Sequence, residues 1–260
     1  MNRLPDHDPG DGATIDAFAL SDAIGWRSVT TLVERLSGLD ALRGVYAGRP
    51  RDCDAAGFVR YALESLQLHY RADGDVARIP DAGPLIVVAN HPHGAADGLL
   101  LADLLLRRRR DVRLLANQWL QRIPELRPLL APVDVFRPHA STPGLRSALA
   151  HLAAGGALVV FPAGEVSRVS LRTPGIRDRP WARAVSGLAA RSGAAVLPVH
   201  IGGRAPLASL AAGLLHSRLR TALLARDLLA RRGTETTLTL GHVVSHDDLC
   251  ALPDVQRIAY

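Results

Sequence analysis

At 260 residues the chain has room for one domain with a sizeable core, and its 48% hydrophobic content is that of an ordinary globular protein. The formal charge of +6, from 31 basic and 25 acidic residues, favours anionic partners: a phospholipid surface, an acidic carrier protein or nucleic acid. Aromatic residues make up 4%, too few to stack bases along a single strand, so single-strand nucleic-acid binding loses weight. There is no lysine, and every Lys/Arg position is Arg. An Arg grips phosphate as a planar fork where Lys acts as a point charge. The two cysteines, Cys53 and Cys250, form neither a metal spacing nor a disulfide framework and fit a reducing cytoplasm.

In chain order, residues 1–14 are polar with Pro and Gly and predict a disordered tail without a signal peptide. Residues 15–66 carry helical periodicity and predict a helical cap. Val29, Leu32, Val33 and Leu36 mark one segment; Phe58, Val59, Ala62, Leu63 and Leu66 mark another, with Gly48 and Pro50 as breakers between them. Leu66 to Arg71 and Val76 to Ile79 read as short strands. From Leu85 to Gly203 strands alternate with helices, which predicts an α/β fold with a mostly parallel sheet flanked by helices. The α/β domain is placed at 67–250. No run reaches the ~18 apolar residues of a membrane-spanning helix.

Two motifs end apolar strand-like runs. Pro84-Leu85-Ile86-Val87-Val88-Ala89 leads into Asn90-His91-Pro92-His93-Gly94-Ala95-Ala96-Asp97-Gly98. Ala157-Leu158-Val159-Val160 leads into Phe161-Pro162-Ala163-Gly164-Glu165-Val166-Ser167-Arg168. Strand, polar turn, then helix is how an α/β fold presents reactive groups at the carboxyl edge of its sheet. A His and an Asp in one turn offer a base and its orienter. Gly164, Glu165 and Arg168 offer backbone N–H groups and a cation for an anionic substrate. Together these indicate transfer chemistry on a charged molecule.

Spacing leaves the base open. His93 and Asp97 are four apart and would share a helix face; His91 and Asp97 are six apart and meet only if His91 sits in the turn and Asp97 in the first helical turn. Pro92 and Gly94 favour such a turn. His91-x-His93 is also a metal-ligand spacing, but Asp97 lies four residues after the second His where binuclear hydrolases place it two after. No metal is expected. The helix after the motif ends in Arg107-Arg108-Arg109-Arg110, which complements the helix dipole and reads as a solvated end, or as a contact to lipid phosphate. Residues 213–232 alternate Leu with Arg218, Arg220, Arg226, Arg231 and Arg232, an amphipathic helix with Arg outside or a helix lying in a lipid interface. His200, alone on a strand, reads as structural.

The two motifs resemble the glycerolipid acyltransferase superfamily, the enzymes that acylate lysophosphatidic acid. The nearer branch holds the lyso-ornithine-lipid acyltransferases and their relatives called hemolysins. That branch reads N-H-P-x-G-x-x-D-G and F-P-A-G-E-x-S-R. The run Gly193-Ala194-Ala195-Val196-Leu197-Pro198-Val199-His200 and the run Leu214-Leu215-His216-Ser217-Arg218-Leu219-Arg220-Thr221 agree as well, so the resemblance covers roughly residues 55 to 248. It implies the acyltransferase fold and assigns the general base to His91, with Asp97 as its partner. It also implies that Arg137, in Pro132-Val133-Asp134-Val135-Phe136-Arg137, binds the acceptor phosphate, and that Gly164, Glu165 and Arg168 orient the acceptor head. The superfamily's usual turn, F-P-E-G-T-R, has Glu before Gly; here Ala163 stands there and Glu165 follows. The implied reaction moves a fatty acyl group from acyl-carrier protein or acyl-coenzyme A, as co-substrate, to a lysolipid hydroxyl. The implied acceptors are lysophosphatidic acid or lyso-ornithine lipid, and no cofactor is needed. The expected setting is cytoplasmic, peripheral to the inner face of the cell membrane. The rival readings are a lipid hydrolase that uses the same pair to activate water, and a lipid-binding protein without catalysis.

Overall fold

The computed structural model describes residues 38–133, 142–164, 168–169, 176–177, 183–203 and 225–252. Among these residues helices α1 (Leu39–Ala47) and α2 (Ala55–Ser65) come first. Then follow β1 (His69–Asp73), β2 (Leu85–Ala89), α3 (Ala95–Leu106), β3 (Val112–Asn117), β4 (Leu130–Val133), α4 (Thr142–Ala153) and β5 (Ala157–Val160). The remaining elements are β6 (Arg168–Val169), β7 (Ile176–Arg177), α5 (Arg183–Ser192), β8 (Ala195–Ile201), α6 (225–230), β9 (Glu235–Leu240) and α7 (His246–Ala251).

Seven strands form one sheet in the order β1-β9-β8-β2-β5-β3-β4. From β8 through β4 every neighbouring pair is parallel. β9 runs antiparallel to β8, and β1 runs parallel to β9. The α/β class with a mostly parallel sheet is therefore what the residues form. β2 lies in the middle, and all five of its residues are buried. Its unbroken Leu-Ile-Val-Val-Ala run suits a strand covered on both faces. Leu85, Val87 and Ala89 join a core with Leu100, Leu101, Leu104 and Leu105 of α3 and Val59 and Leu63 of α2. Ile86 and Val88 point the other way, into a core with Ala148 and Leu152 of α4 and Leu188 and Ala189 of α5. Each fully buried Leu or Ile in these layers stabilises the fold by about 1.5–3 kcal/mol relative to exposure.

Two local expectations shift. Leu66–Leu68 completes the C-terminal turn of α2, with the Leu68 N–H donating to the Leu63 carbonyl at 2.8 Å, so β1 begins only at His69. Val76–Arg78 is a 3-10 turn rather than a strand, because the Asp75 carboxylate accepts the Ala77 N–H at 3.0 Å and closes the backbone locally. Pro198 sits in the interior strand β8, where its carbonyl accepts the Gly241 N–H at 2.8 Å just past the end of the β9 pairing.

The Arg107–Arg110 run is the larger correction. Arg107 pairs with Asp103 at 2.8 Å and Arg108 with Asp81 at 2.5 Å, while Arg110 is exposed. Arg109, expected at a solvated end, has no exposed side-chain surface. Its guanidinium donates to both Asp111 oxygens at 2.8 and 2.7 Å and to the carbonyls of Pro80, Gly83 and Gly155 at 3.0, 2.9 and 2.7 Å. Gly83, Asp111 and Gly155 lie one or two residues before β2, β3 and β5. Arg109 therefore ties together the amino ends of three strands, at the edge opposite the His-Asp turn.

Candidate active site

β2 and β5 are adjacent and parallel, with Val88 in register with Val160. The turns that leave them therefore lie side by side at the carboxyl edge. The His91 ring stacks on the Phe161 ring, centroids 3.9 Å apart and planes 21° apart. Asn90 fixes the start of the first turn. Its side-chain amide donates to the Ile201 carbonyl at 2.9 Å and accepts the Ile201 N–H at 2.6 Å, so the end of β2 is stapled to the end of β8.

Gly94 then reverses the chain with φ 65 and ψ −127, a conformation that side-chain-bearing residues avoid. This reversal folds Asp97, in the first turn of α3, back over His91. Asp97 Oδ2 lies 3.0 Å from His91 Nδ1 and accepts the His93 backbone N–H at 2.8 Å. The Asp97 side chain is fully buried; that of His91 is 17% exposed. With Nδ1–H donating to the carboxylate, Nε2 keeps its lone pair. A six-residue separation that no straight helix could bridge is closed by this turn.

His93 is placed differently. It is 3% exposed, and its Nε2 lies 2.8 Å from the Gly202 carbonyl and 2.9 Å from Arg231 Nη2. Burial holds its pKa below the usual imidazole range, and Arg231 and His91 push the same way against Asp97 and the Gly202 carbonyl. Among the described residues no group of three or more His, Cys, Asp or Glu gathers as a metal site.

Arg231 had no distinguishing signal in the sequence, where it is one of many helical arginines. Arg226 and Arg232 are exposed, as an outward Arg face predicts. Arg231 instead turns inward from the turn after α6. That turn is held by Thr234, whose N–H and hydroxyl donate to the Arg231 carbonyl at 3.0 and 2.7 Å. The contacts of Phe161, Asn90 and Gly202 were likewise not legible, although Asn90 and Phe161 open the two motifs, since those contacts come from strands that are neighbours in space alone.

The second motif is partly described. Gly164 closes the turn after β5, its N–H donating to the Phe161 carbonyl at 2.9 Å, and open space surrounds its α-carbon on the side-chain side. Arg168 lies in β6, whose backbone pairs with Arg177 of β7. The Arg168 side chain, Glu165 and Arg137 lie outside the described residues. His200 is exposed on β8.

Gly203 yields a direct prediction. Its φ is +102, and a Cβ there would fall 2.8 Å from His93 Nε2 and 3.4 Å from Arg231 Nη2. Gly203→Ala will destabilise the protein by at least ~1–2 kcal/mol from backbone strain alone. It will also displace His93. Urea unfolding measures the first effect, and a change in the His93 ring resonances reports the second.

The acyltransferase family model matches residues 23–223. A lyso-glycine lipid O-acyltransferase of Bacteroides thetaiotaomicron is 29% identical over 162 residues, 62% of this chain and 58% of that protein. A protein of the same name from Phocaeicola vulgatus is 28% identical over 192 residues, 71% and 67% of the two chains. The chain thus spans 58% of the first relative's length and 67% of the second's. Among solved structures, the 1-acyl-sn-glycerophosphate acyltransferase PlsC of Thermotoga maritima aligns with a TM-score of 0.45 and 22% identity, over 74% of this chain and 67% of that one. A family model spanning more than half the sequence fixes membership, and the chain belongs to the acyltransferase family.

Proposed function

We propose that this protein is a lysolipid O-acyltransferase. It moves a fatty acyl group from a thioester of acyl-carrier protein or coenzyme A to the hydroxyl of a lysolipid. The observation that carries this reading is the His91 Nδ1–Asp97 Oδ2 contact of 3.0 Å at the carboxyl edge, with the His91 ring partly open to solvent. His91 Nε2 takes the acceptor hydroxyl proton as that oxygen attacks the thioester carbonyl carbon, and Asp97 stabilises the imidazolium that forms. A C–O bond forms, the C–S bond breaks, and the imidazolium returns its proton to the thiolate. The products are an ester and a free thiol, and no cofactor or metal enters the balance. The open turn at Gly164 lets substrate approach the backbone closely, and Arg137, Glu165 and Arg168 orient the acceptor head.

The acceptor is a lysolipid with an acidic head. The matching relatives are named for a lyso-glycine lipid, whose head is a carboxylate; lyso-ornithine lipid and lysophosphatidic acid are the other members of this class. The reaction takes place with the protein docked peripherally on the inner face of the cell membrane. Among the described residues no helix is long and apolar enough to cross a membrane. One feature supports a surface location. The turn after β3, on the same edge as His91, carries Trp119, 52% exposed, with the Arg122 guanidinium 4.3 Å from its ring centre. An exposed indole beside a cation suits the headgroup region.

The test is label transfer from acyl-carrier-protein and acyl-coenzyme-A donors into lyso-glycine lipid, lyso-ornithine lipid and lysophosphatidic acid on vesicles. Label appearing in one of these lipids is the expected result. Label released as free fatty acid whatever the acceptor would replace this reading with a hydrolase.

A further inference from the structure

Two imidazoles flank one buried carboxylate. Asp97 Oδ2 faces the His91 ring at 3.0 Å and the His93 backbone at 2.8 Å, and its negative charge also draws a proton toward the His93 ring. Only a proton on His91 serves the reaction, because His93 is walled in at 3% exposure. Something must assign the proton to the right ring.

We infer that Arg231 is a positioning residue that keeps His93 uncharged and so commits the Asp97 carboxylate to His91. The inference rests on the acyl-transfer reading above. Its geometry is a three-way node. His93 Nε2 lies 2.8 Å from the Gly202 carbonyl, which requires an N–H, and 2.9 Å from Arg231 Nη2, a guanidinium nitrogen. A neutral ring with its hydrogen on Nε2 satisfies the carbonyl and leaves Nδ1 as a bare lone pair; the guanidinium then faces that N–H as a neighbouring positive charge and not as a hydrogen-bond donor to it. Nδ1 is buried without a partner. Charging His93 would add a second N–H at Nδ1, aimed at no acceptor among the described residues, and would set a second cation beside the guanidinium. An unpaired buried donor and a like-charge contact both oppose that state.

The charged groups that face His93 are Asp97, Arg231 and His91, and Asp227 in turn faces Arg231. Asp97 and the Gly202 carbonyl draw a proton to His93, and burial, Arg231 and His91 oppose it. Burial lowers the Arg231 pKa, but an arginine starts so high that it stays cationic at neutral pH. Removing that cation tips the balance toward a proton on His93. The sign follows directly: the defect is largest at low pH, where a proton is available, and fades as pH rises.

The experiment compares the full chain with Arg231→Gln and Arg231→Lys. Imidazole NMR follows the His93 ring across a titration, and acyl transfer is measured at about pH 6 and about pH 8.5, either side of the ordinary imidazole range. In the unsubstituted protein His93 is neutral at neutral pH. In Arg231→Gln its midpoint rises by about one pH unit or more, kcat falls about tenfold at the lower pH and approaches the parent value at the higher, and KM holds. Arg231→Lys keeps the cation and tracks the parent. A His93 titration unchanged by Arg231→Gln, or a rate loss equal at both pH values, would overturn the inference. So would a charged His93 at neutral pH in the parent, a result that needs no variant to fold. Absence of acyl transfer by the parent would strike the proposed function, while the His93 titration would still decide the role of Arg231.

Discussion

Asp97→Asn will lower kcat for acyl transfer by about 10²–10⁴-fold and leave KM for the lysolipid within a few-fold of the parent. One carboxylate oxygen, Oδ2, takes the N–H of His91 at 3.0 Å and the backbone N–H of His93 at 2.8 Å. An amide can accept from both only through its oxygen, and it carries no charge to stabilise an imidazolium. If the amide nitrogen faces His91 instead, it donates to Nδ1 and drives the ring hydrogen to Nε2, the wrong tautomer for a base. The packing is nearly unchanged, because Asn matches Asp in volume, so the loss falls on the reaction step rather than on binding. Steady-state kinetics with saturating donor checks the split. A variant with KM raised and kcat retained would place Asp97 in substrate binding and not in proton transfer.

The second large effect is on stability. Arg109→Met will destabilise the fold by about 3 kcal/mol or more, although Arg109 is remote from the His-Asp turn. Asp111 is 44% exposed, so the ion pair itself is screened and contributes at most about 1 kcal/mol. Most of the loss comes from the Pro80, Gly83 and Gly155 carbonyls, each of which loses a donor at a cost of about 1–3 kcal/mol where water cannot replace it. Asp111→Asn is the control, expected to cost far less. The pH dependence follows in sign. The hydrogen bonds from Arg109 hold the Asp111 carboxyl below its usual range. A carboxyl depressed in the folded state contributes stability that is present above the unfolded value, about 3.9, and is lost as pH falls through the folded one. Arg109→Met removes that acid-side dependence along with the larger pH-independent share. Urea unfolding at neutral and acid pH measures both.

The contrast between Arg109 and His91 shows what a sequence carries. The turns at Asn90 and Phe161 were legible because each follows an unbroken apolar run, and such runs form strands buried on both faces. That both turns lie at the carboxyl edge of the sheet follows from strand-turn-helix order. Which ring meets the Asp97 carboxylate, that of His91 or that of His93, was not legible from spacing, because it turns on the unusual backbone of Gly94 and on the Gly202 carbonyl, over one hundred residues further along the chain. Arg109 and Arg231 misled for a shared reason. A run of arginines at a helix end resembles a solvated surface, and the carbonyls or ring that draw one of them inward belong to other elements. Val76–Arg78 shows the local counterpart: an apolar residue pattern suggested a strand, and one Asp75 side chain closing on Ala77 produced a turn. Arg137 and Glu165 lie outside the described residues, and their roles rest on the resemblance alone.

The most direct measurement is single-turnover acyl transfer by the parent and by His91→Ala, with the acceptor that the lysolipid panel selects. The account predicts that the variant folds, binds vesicles as the parent does, and transfers at least about 10²-fold more slowly. A folded His91→Ala that transfers at near the parent rate would contradict it, because no other described residue presents a ring nitrogen at this edge backed by a buried carboxylate.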